Sequence, residues 1–308
     1  MRVARRFTAL SLPLLLALAA CGSPAEEPAA DQSSSTGEFP VTVADARGDV
    51  TIEEKPTRII SLSPSLTEIL FEVGAGDQVV AVDEYSNYPP EAPTTDLSGF
   101  TPNVEAIADY EPDLVVLSGD SSDITEQLEK LHIPVLLLPA AEKLEDTFAQ
   151  MELLGEATGN ADEGIAAAEE LRERMDAIVA EVVDDGAAGL SYYHEIDAQL
   201  YSVTSDTFIG QIYDLFGLVN IADEAEDPAG GYPQLSAEFI VEQDPDLIFV
   251  SYPGGVDDVL GRPAFATVTA VQQKNVVEVD ADISSRWGPR VADFVEEVAE
   301  AIETARSE

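Results

Sequence analysis

The sequence predicts an α/β protein made of two parallel-sheet lobes joined by a single long α-helix. Three observations carry that prediction. From Phe39 onward, short apolar runs rich in β-branched residues alternate with amphipathic helical stretches. A frame recurs, EAIADYEPDLVVL at 105–117 and EFIVEQDPDLIFV at 238–250, with the Glu, the Ile, Pro-Asp-Leu and the closing apolar run in register. Between the copies, Leu144 to Val183 carries helix formers with few breaks. With 308 residues and 45% hydrophobic content, the chain has ample material for two buried cores.

The elements follow in order. Val41–Val43 and Val50–Ile52 read as an edge hairpin, and Arg58–Leu62 as a buried strand. A helix is predicted over Ser65–Val73, a strand over Val79–Val82, a helix over Val104–Tyr110 and a strand over Leu114–Leu117. Ile124–Leu131 reads as helix and Val135–Leu138, after Pro134, as strand. In the middle, Gly155, Gly159 and Asn160 are expected to end one helix and start another. The second helix, from Asn160, would reach roughly 36 Å at 1.5 Å per residue. Its Ile165, Ala168, Leu171, Met175, Ile178 and Val182 form a stripe suited to packing. The second half then offers strands at Leu190–Tyr193, Leu247–Val250 and Val276–Val279, and helices at Phe208–Phe216 and Ala237–Gln243.

Charge narrows the function. Sixty acidic residues against 15 basic ones give a net charge of −45, and the only lysines are Lys55, Lys130, Lys143 and Lys274. A phosphate backbone requires clustered cations, so no nucleic-acid partner is expected. Acidity with scarce lysine points to a high-salt habitat, where screening relieves self-repulsion.

The N-terminus explains the one cysteine. Arg2, Arg5 and Arg6 precede an apolar stretch, Ala9 to Ala19, that contains Pro13 and is short for a membrane span. Leu18-Ala19-Ala20-Cys21-Gly22 closes it and resembles the lipobox of bacterial lipoproteins, implying cleavage before Cys21 and a diacylglycerol on its thiol. Acyl chains must supply the anchoring, since so acidic a chain is not drawn to anionic lipid. The reading is therefore a signal peptide over 1–20, a flexible tether over 21–38, an N-terminal lobe over 39–143, an interlobe helical segment over 144–185 and a C-terminal lobe over 186–308.

Several longer segments resemble a known family, the solute-binding lipoproteins of ABC importers for cobalamin, ferric siderophores and haem. They are RIISLSPSLTEILFEVGAGDQVVAV at 58–82, YSNYPPEA at 85–92, NVEAIADYEPDLVVL at 103–117, SDTFIGQIYDLFGLVNI at 205–221 and PQLSAEFIVEQDPDLIFV at 233–250. The resemblance implies two Rossmann-like lobes joined by one helix, a ligand cleft between them, no catalysis, no cofactor and no resident metal. It implies as partners a small-molecule ligand, a permease dimer with its ATPase subunits, and the membrane through the lipid anchor. The protein would stand outside the cytoplasm, held to the cell membrane.

Within that family the sequence is most similar to cobalamin binders. Tyr85 falls on an aromatic position that packs against the corrin, Tyr232 falls where a cobalamin binder has a tryptophan, and Phe100 lies one position from another expected aromatic. Asp282 and Arg286 match a polar pair facing the ligand, and Trp287 is either a core anchor or a cleft wall. Ser118 departs from the pattern by standing at a tryptophan position. Glu105 and Glu238, equivalent in the internal repeat, match acidic residues that pair with permease arginines. Their plainer reading is as helix N-terminal glutamates favoured by the dipole.

The ligand chemistry leaves alternatives. A corrin is a broad, partly apolar disc edged with amides, suited to aromatic faces and a few polar groups. A ferric catecholate is polyanionic and would want an arginine cluster, for which Arg286, Arg290 and Arg262 are available. Haem would want an axial His or Tyr. His194 or Tyr192, Tyr193 and Tyr201 could serve, while His132 reads as a surface helix-end residue. Zinc or manganese binders of similar shape need about three converging histidines, and the chain has two. A two-lobed hydrolytic enzyme is the rival class, but no nucleophile elbow, phosphate loop, dinucleotide fingerprint or His-Glu-x-x-His motif is present.

Overall fold

The computed structural model describes residues 39–183, 189–226 and 228–307. Cys21 and the expected signal peptide and tether lie outside the described residues. In the N-terminal lobe a hairpin of β1 (Val41–Asp45) and β2 (Gly48–Ile52) precedes β3 (Ile59–Leu62), α1 (Pro64–Glu72), β4 (Val79–Asp83), β5 (Thr94–Leu97), α2 (Val104–Ala108), β6 (Leu114–Leu117), α3 (Ile124–Lys130) and β7 (Val135–Leu137). Five of these strands form a parallel sheet in the order β5-β4-β3-β6-β7. Every residue of β3 and β6 is buried, as central parallel strands covered by helices on both faces must be.

Two helices follow, α4 (Leu144–Thr158) and α5 (Ala161–Val183). The C-terminal lobe comprises β8 (Ser191–Glu195), α6 (Phe208–Asp214), β9 (Val219–Asn220), α7 (Ala237–Gln243), β10 (Leu247–Val250), α8 (Gly255–Gly261), α9 (Thr269–Gln273), β11 (Val276–Glu278), α10 (Ala281–Ser285) and α11 (Val291–Ser307). Its sheet is parallel, in the order β9-β8-β10-β11.

The sequence repeat is a structural repeat. Ile59 pairs with Leu114 across β3 and β6, and Tyr192 pairs with Leu247 across β8 and β10, the same register one repeat later. The aspartate of each Pro-Asp step has the same task. Asp113 accepts from Thr57 N, Thr57 Oγ1 and Arg58 N at 2.8–2.9 Å, and Asp246 accepts from Ser191 N and Ser191 Oγ at 2.8 Å. Each closes the amino end of a central strand, where unpaired N–H groups would otherwise be left without partners. The N-terminal sheet adds β5, which has no counterpart in the described part of the other lobe.

Between the lobes the helices share one core. Buried residues from β3, β6, α1, α4, α5, α6, β10 and α11 belong to a single apolar cluster, while each lobe has a smaller cluster on its other face. Gly159, in the left-handed conformation at φ 73°, ends α4. Gly155 lies inside α4 rather than at the break. A Cβ there would come within 2.8 Å of Gly164 Cα, so this glycine pair lets α4 and α5 cross in backbone contact. Gly164 thereby takes the inward position, and Ile165, expected in the packing stripe, is exposed, while Ala168, Leu171, Met175 and Val182 are buried. Arg174 on α5 pairs with Asp293 and Glu296 on α11, both at 2.8 Å.

Candidate functional site

A parallel sheet places its binding loops at the carboxyl ends of its strands. Here the loop after β4 meets the segment after β11. Asn87 Nδ2 donates to Asp282 at 2.8 Å, and Arg286 Nη2 donates to the carbonyl of Tyr85 at 3.2 Å. The carboxyl ends of the two sheets therefore open toward a common interlobe space.

The N-terminal wall is built by local pinning. Buried Asp83, at the end of β4, accepts from Ser86 N at 3.0 Å, and Ser86 Oγ is bonded to Thr67 Oγ1 at 2.9 Å. Burial pushes the Asp83 carboxyl above its ordinary pKa. This turn carries Tyr85 and Asn87. Phe100 follows Gly99, where a Cβ would lie 2.4 Å from the carbonyl oxygen of Leu62, so only glycine lets the loop lie across the strand ends. Tyr85 and Phe100 meet edge to face, with centroids 5.7 Å apart.

The opposite lobe carries two further exposed aromatic residues, Tyr201 and Tyr232. Gly231, at φ 97°, turns the chain into Tyr232, and Tyr201 bridges to Gln234 in antiparallel fashion. Segments after β8 and β9 thus bring Tyr201 and Tyr232 together at that lobe's carboxyl end. The four rings are between 39% and 73% exposed, a high exposure for large apolar groups clustered at strand ends. Tyr201 stood in the sequence only as a haem candidate. The bridge to Gln234 that seats it beside Tyr232 has no local sequence signature.

Asp282 and Arg286 form an ion pair at 2.9 Å, and Arg286 is buried. Its guanidinium also donates to Glu68 Oε1 at 2.9 Å and to Asn87 Oδ1 at 2.8 Å. Glu68, fully buried on α1, takes a second arginine as well: Arg290 Nε and Nη2 donate to it at 2.9 and 2.6 Å, and the Arg290 guanidinium lies over the Tyr88 ring. Trp287 is half-buried and donates to Gln150 on α4 at 3.0 Å. Ser118 follows β6 at the same strand ends and is half-buried.

A matching arrangement stands at the end of β8. Buried Glu195 accepts from Arg262 at 2.7 and 2.6 Å and from the Tyr252 hydroxyl at 2.5 Å, while Asp258 pairs with the same arginine. Beside the carboxylate, Arg262 is held well above its ordinary pKa. Burial and the neighbouring Glu195 likewise push up the Tyr252 hydroxyl. The three arginines considered for anion recognition are therefore all engaged with carboxylates.

The haem candidates separate. Tyr192 and Tyr193 are buried in the C-terminal lobe. His194 is buried too, with Nδ1 2.7 Å from Tyr213 Oη and Nε2 3.1 Å from Ser251 Oγ. Only Tyr201 of that group reaches the surface, and His132 is an exposed residue after α3. Burial lowers the His194 pKa to about 3, which gives the fold a defined acid response. Below pH 6.5 the unfolded chain takes a proton there that the folded chain refuses, so stability falls as pH drops toward 3. The loss is about 1.6 kcal/mol between pH 6.5 and pH 5. Glu297, raised to about 7 by burial and nearby acids, acts with the opposite sign between pH 4.5 and 7. Urea unfolding of the parent and of His194→Gln isolates the histidine: the variant should lose about 1.6 kcal/mol less over that interval, and equal losses would refute the assignment.

A cavity of about 410 Å³ is lined by Glu68, Tyr88 and Arg290 together with Glu170 and Arg174 of α5, and by none of Tyr85, Phe100 and Tyr232. Its walls carry more carboxylates than aromatic rings, so it lacks the apolar faces of the interlobe space. Among the described residues, no group of three or more His, Cys, Asp or Glu is arranged to hold a metal ion.

Glu105 and Glu238 occupy the first turns of α2 and α7, one per lobe, on the same side as the strand carboxyl ends. Both are exposed, and neither carboxylate has a polar partner among the described residues. The caps are made by others: Asn103 accepts from Glu105 N and Ala106 N, and Ser236 accepts from Phe239 N.

Two repeated lobes with facing strand ends agree with what comparison finds, for the description "Periplasmic binding protein" matches residues 59–283. The chain belongs to the periplasmic binding protein family. It is 32% identical over 94% of its length, and 95% of the relative's, to YvrC of Bacillus subtilis (strain 168), an uncharacterised ABC transporter substrate-binding lipoprotein. It is 34% identical over 90% of its length, and 77% of the relative's, to a cobalamin-binding protein of Halobacterium salinarum. Among solved structures, the periplasmic vitamin B12-binding protein BtuF of Vibrio cholerae superposes with a TM-score of 0.69 at 28% identity, covering 82% of this chain and 99% of that one. A haem-binding protein of Roseiflexus sp. RS-1 and a possible iron-binding protein of Staphylococcus epidermidis superpose with TM-scores of 0.70 at 21% and 23% identity, which speaks to the fold alone. This is a family of solute binders, and the hydrolytic alternative draws no support from it.

Proposed function

We propose that this protein captures cobalamin or a related corrinoid outside the cytoplasm and delivers it to the permease of an ABC importer. The observation that supports a corrinoid over a ferric catecholate is the state of the arginines. Arg286 and Arg290 are neutralised by Glu68 and Asp282, and Arg262 by Glu195 and Asp258. What the cleft offers instead is exposed aromatic surface on each lobe, the Tyr85–Phe100 pair on one and Tyr201 and Tyr232 on the other. Aromatic faces with few free charges suit a broad disc edged with neutral amides. The relatives named for cobalamin and vitamin B12 support the same reading.

Loss of the gene should abolish uptake of radiolabelled cyanocobalamin at nanomolar supply, and unchanged uptake would refute the assignment. Cys21 would hold the mature protein to the membrane by its lipid. Among the described residues no helix is long and apolar enough to cross a membrane, so anchoring would rest on the acyl chains. Cys21→Ala is expected to move the protein from the membrane fraction into the medium. Retention in membranes at the parental level would contradict the lipid anchor.

A further inference from the structure

We propose that Glu68 and Glu195 are specificity-determining residues: buried counter-charges that cancel the cleft arginines, so that polyanionic ferric chelates are refused and a neutral ligand is accepted. The inference rests on the functional reading above and assigns the selectivity of that site to two residues that touch no ligand. Both carboxylates have fully buried side chains. Each receives guanidinium nitrogens at 2.6–2.9 Å, from Arg286 and Arg290 in one case and from Arg262 in the other.

Hydrogen-bond capacity makes the same point as charge. Both Nη atoms of Arg286 are engaged, Nη1 with Glu68 and Asn87, Nη2 with Asp282 and the carbonyl of Tyr85. Arg290 turns Nε and Nη2 onto Glu68 and lays its face on Tyr88. Glu68, Asp282, Arg286 and Arg290 sum to zero charge, whereas Glu195, Asp258 and Arg262 sum to one negative charge. A tris-catecholate anion approaching this cleft meets no net positive field and few unengaged donors. With Glu68 removed, Arg286, which reaches the Tyr85 carbonyl, and Arg290, which lies over Tyr88, are left with reduced compensation, the chemistry such an anion requires.

The test compares parent, Glu68→Gln and Glu195→Gln, titrated separately with cyanocobalamin and with ferric enterobactin, a trianion, at low salt. The variants are expected to bind the ferric chelate at least about tenfold more tightly than the parent, with the gain disappearing as potassium chloride is raised. A gain of binding cannot arise from misfolding. Should the buried substitutions prevent folding, Asp282→Asn and Asp258→Asn change the same charge sums from the half-exposed partners and leave the buried pairs intact. They are expected to show the same salt-sensitive gain. Folded variants that bind the ferric chelate no better than the parent overturn the proposal, as does a parent that already binds it tightly. Failure of the parent to bind cyanocobalamin would instead remove the corrinoid reading, while the difference between variants and parent would still decide the role of the two glutamates.

Discussion

Replacing Glu105 and Glu238 together by alanine is expected to abolish ligand-stimulated ATP hydrolysis by the reconstituted importer while leaving ligand affinity at the parental value. The chain is acidic everywhere, so charge alone does not single these two out. Their placement does. Each stands in the first turn of the repeated helix, at the strand carboxyl ends of its own lobe, with no polar partner among the described residues. If they served only the helix termini, they would duplicate what Asn103 and Ser236 already do, and their loss would cost about 0.3–1 kcal/mol of stability each. If each meets an arginine on one permease subunit, truncation costs about 2–5 kcal/mol of docking energy per site, because the partner's charge is left unpaired. Two such losses remove productive docking. ATPase rates with liganded parent and double variant decide the matter: equal stimulation would leave the two glutamates with a terminal role only.

The exposed aromatic side chains should carry the ligand. Tyr85→Ala and Tyr232→Ala are each expected to weaken cyanocobalamin binding by about tenfold to a hundredfold, mainly through faster dissociation. A tyrosine ring that loses roughly 60–100 Å² of exposed apolar surface on contact contributes about 1.5–2.5 kcal/mol at 25 cal/mol per Å². Both side chains are substantially exposed, so truncation should not unfold the protein. Tyr85→Phe and Tyr232→Phe keep the faces and should retain most of the affinity. Tight binding by both alanine variants would move the ligand away from this cleft.

Much of the architecture was legible because buried parallel strands are continuous apolar runs, and because the Pro-Asp frame occurs twice with its aspartate closing a strand each time. β5 escaped because Thr94-Thr95-Asp96-Leu97 is a polar edge strand without an apolar run, and β9 because it is two residues long. The helices α8 to α11 were not anticipated. For α11 a signal existed, since Val291, Phe294, Val295, Val298 and Ile302 recur at helical spacing and are buried.

At the site, resemblance pointed to Tyr85, Phe100, Tyr232, Asp282, Arg286 and Trp287, and the structure adds what surrounds them. Asp282 and Arg286 were legible as a polar pair, but the arginine's inward bonds to Glu68, Asn87 and the Tyr85 carbonyl were not. Those contacts span about two hundred residues of sequence, which no local pattern encodes. One clue was present. Glu68 interrupts an apolar helix between buried Leu66 and Ile69, and a carboxylate on such a face requires a cationic partner from elsewhere.

Calorimetric titration of the purified protein with cyanocobalamin, repeated with haemin and with ferric enterobactin, tests the central claim most directly. An aromatic-walled cleft without net positive charge predicts saturable one-to-one binding of cyanocobalamin that neither iron compound displaces. No heat with cyanocobalamin, together with tight binding of haemin or the ferric chelate, would contradict it.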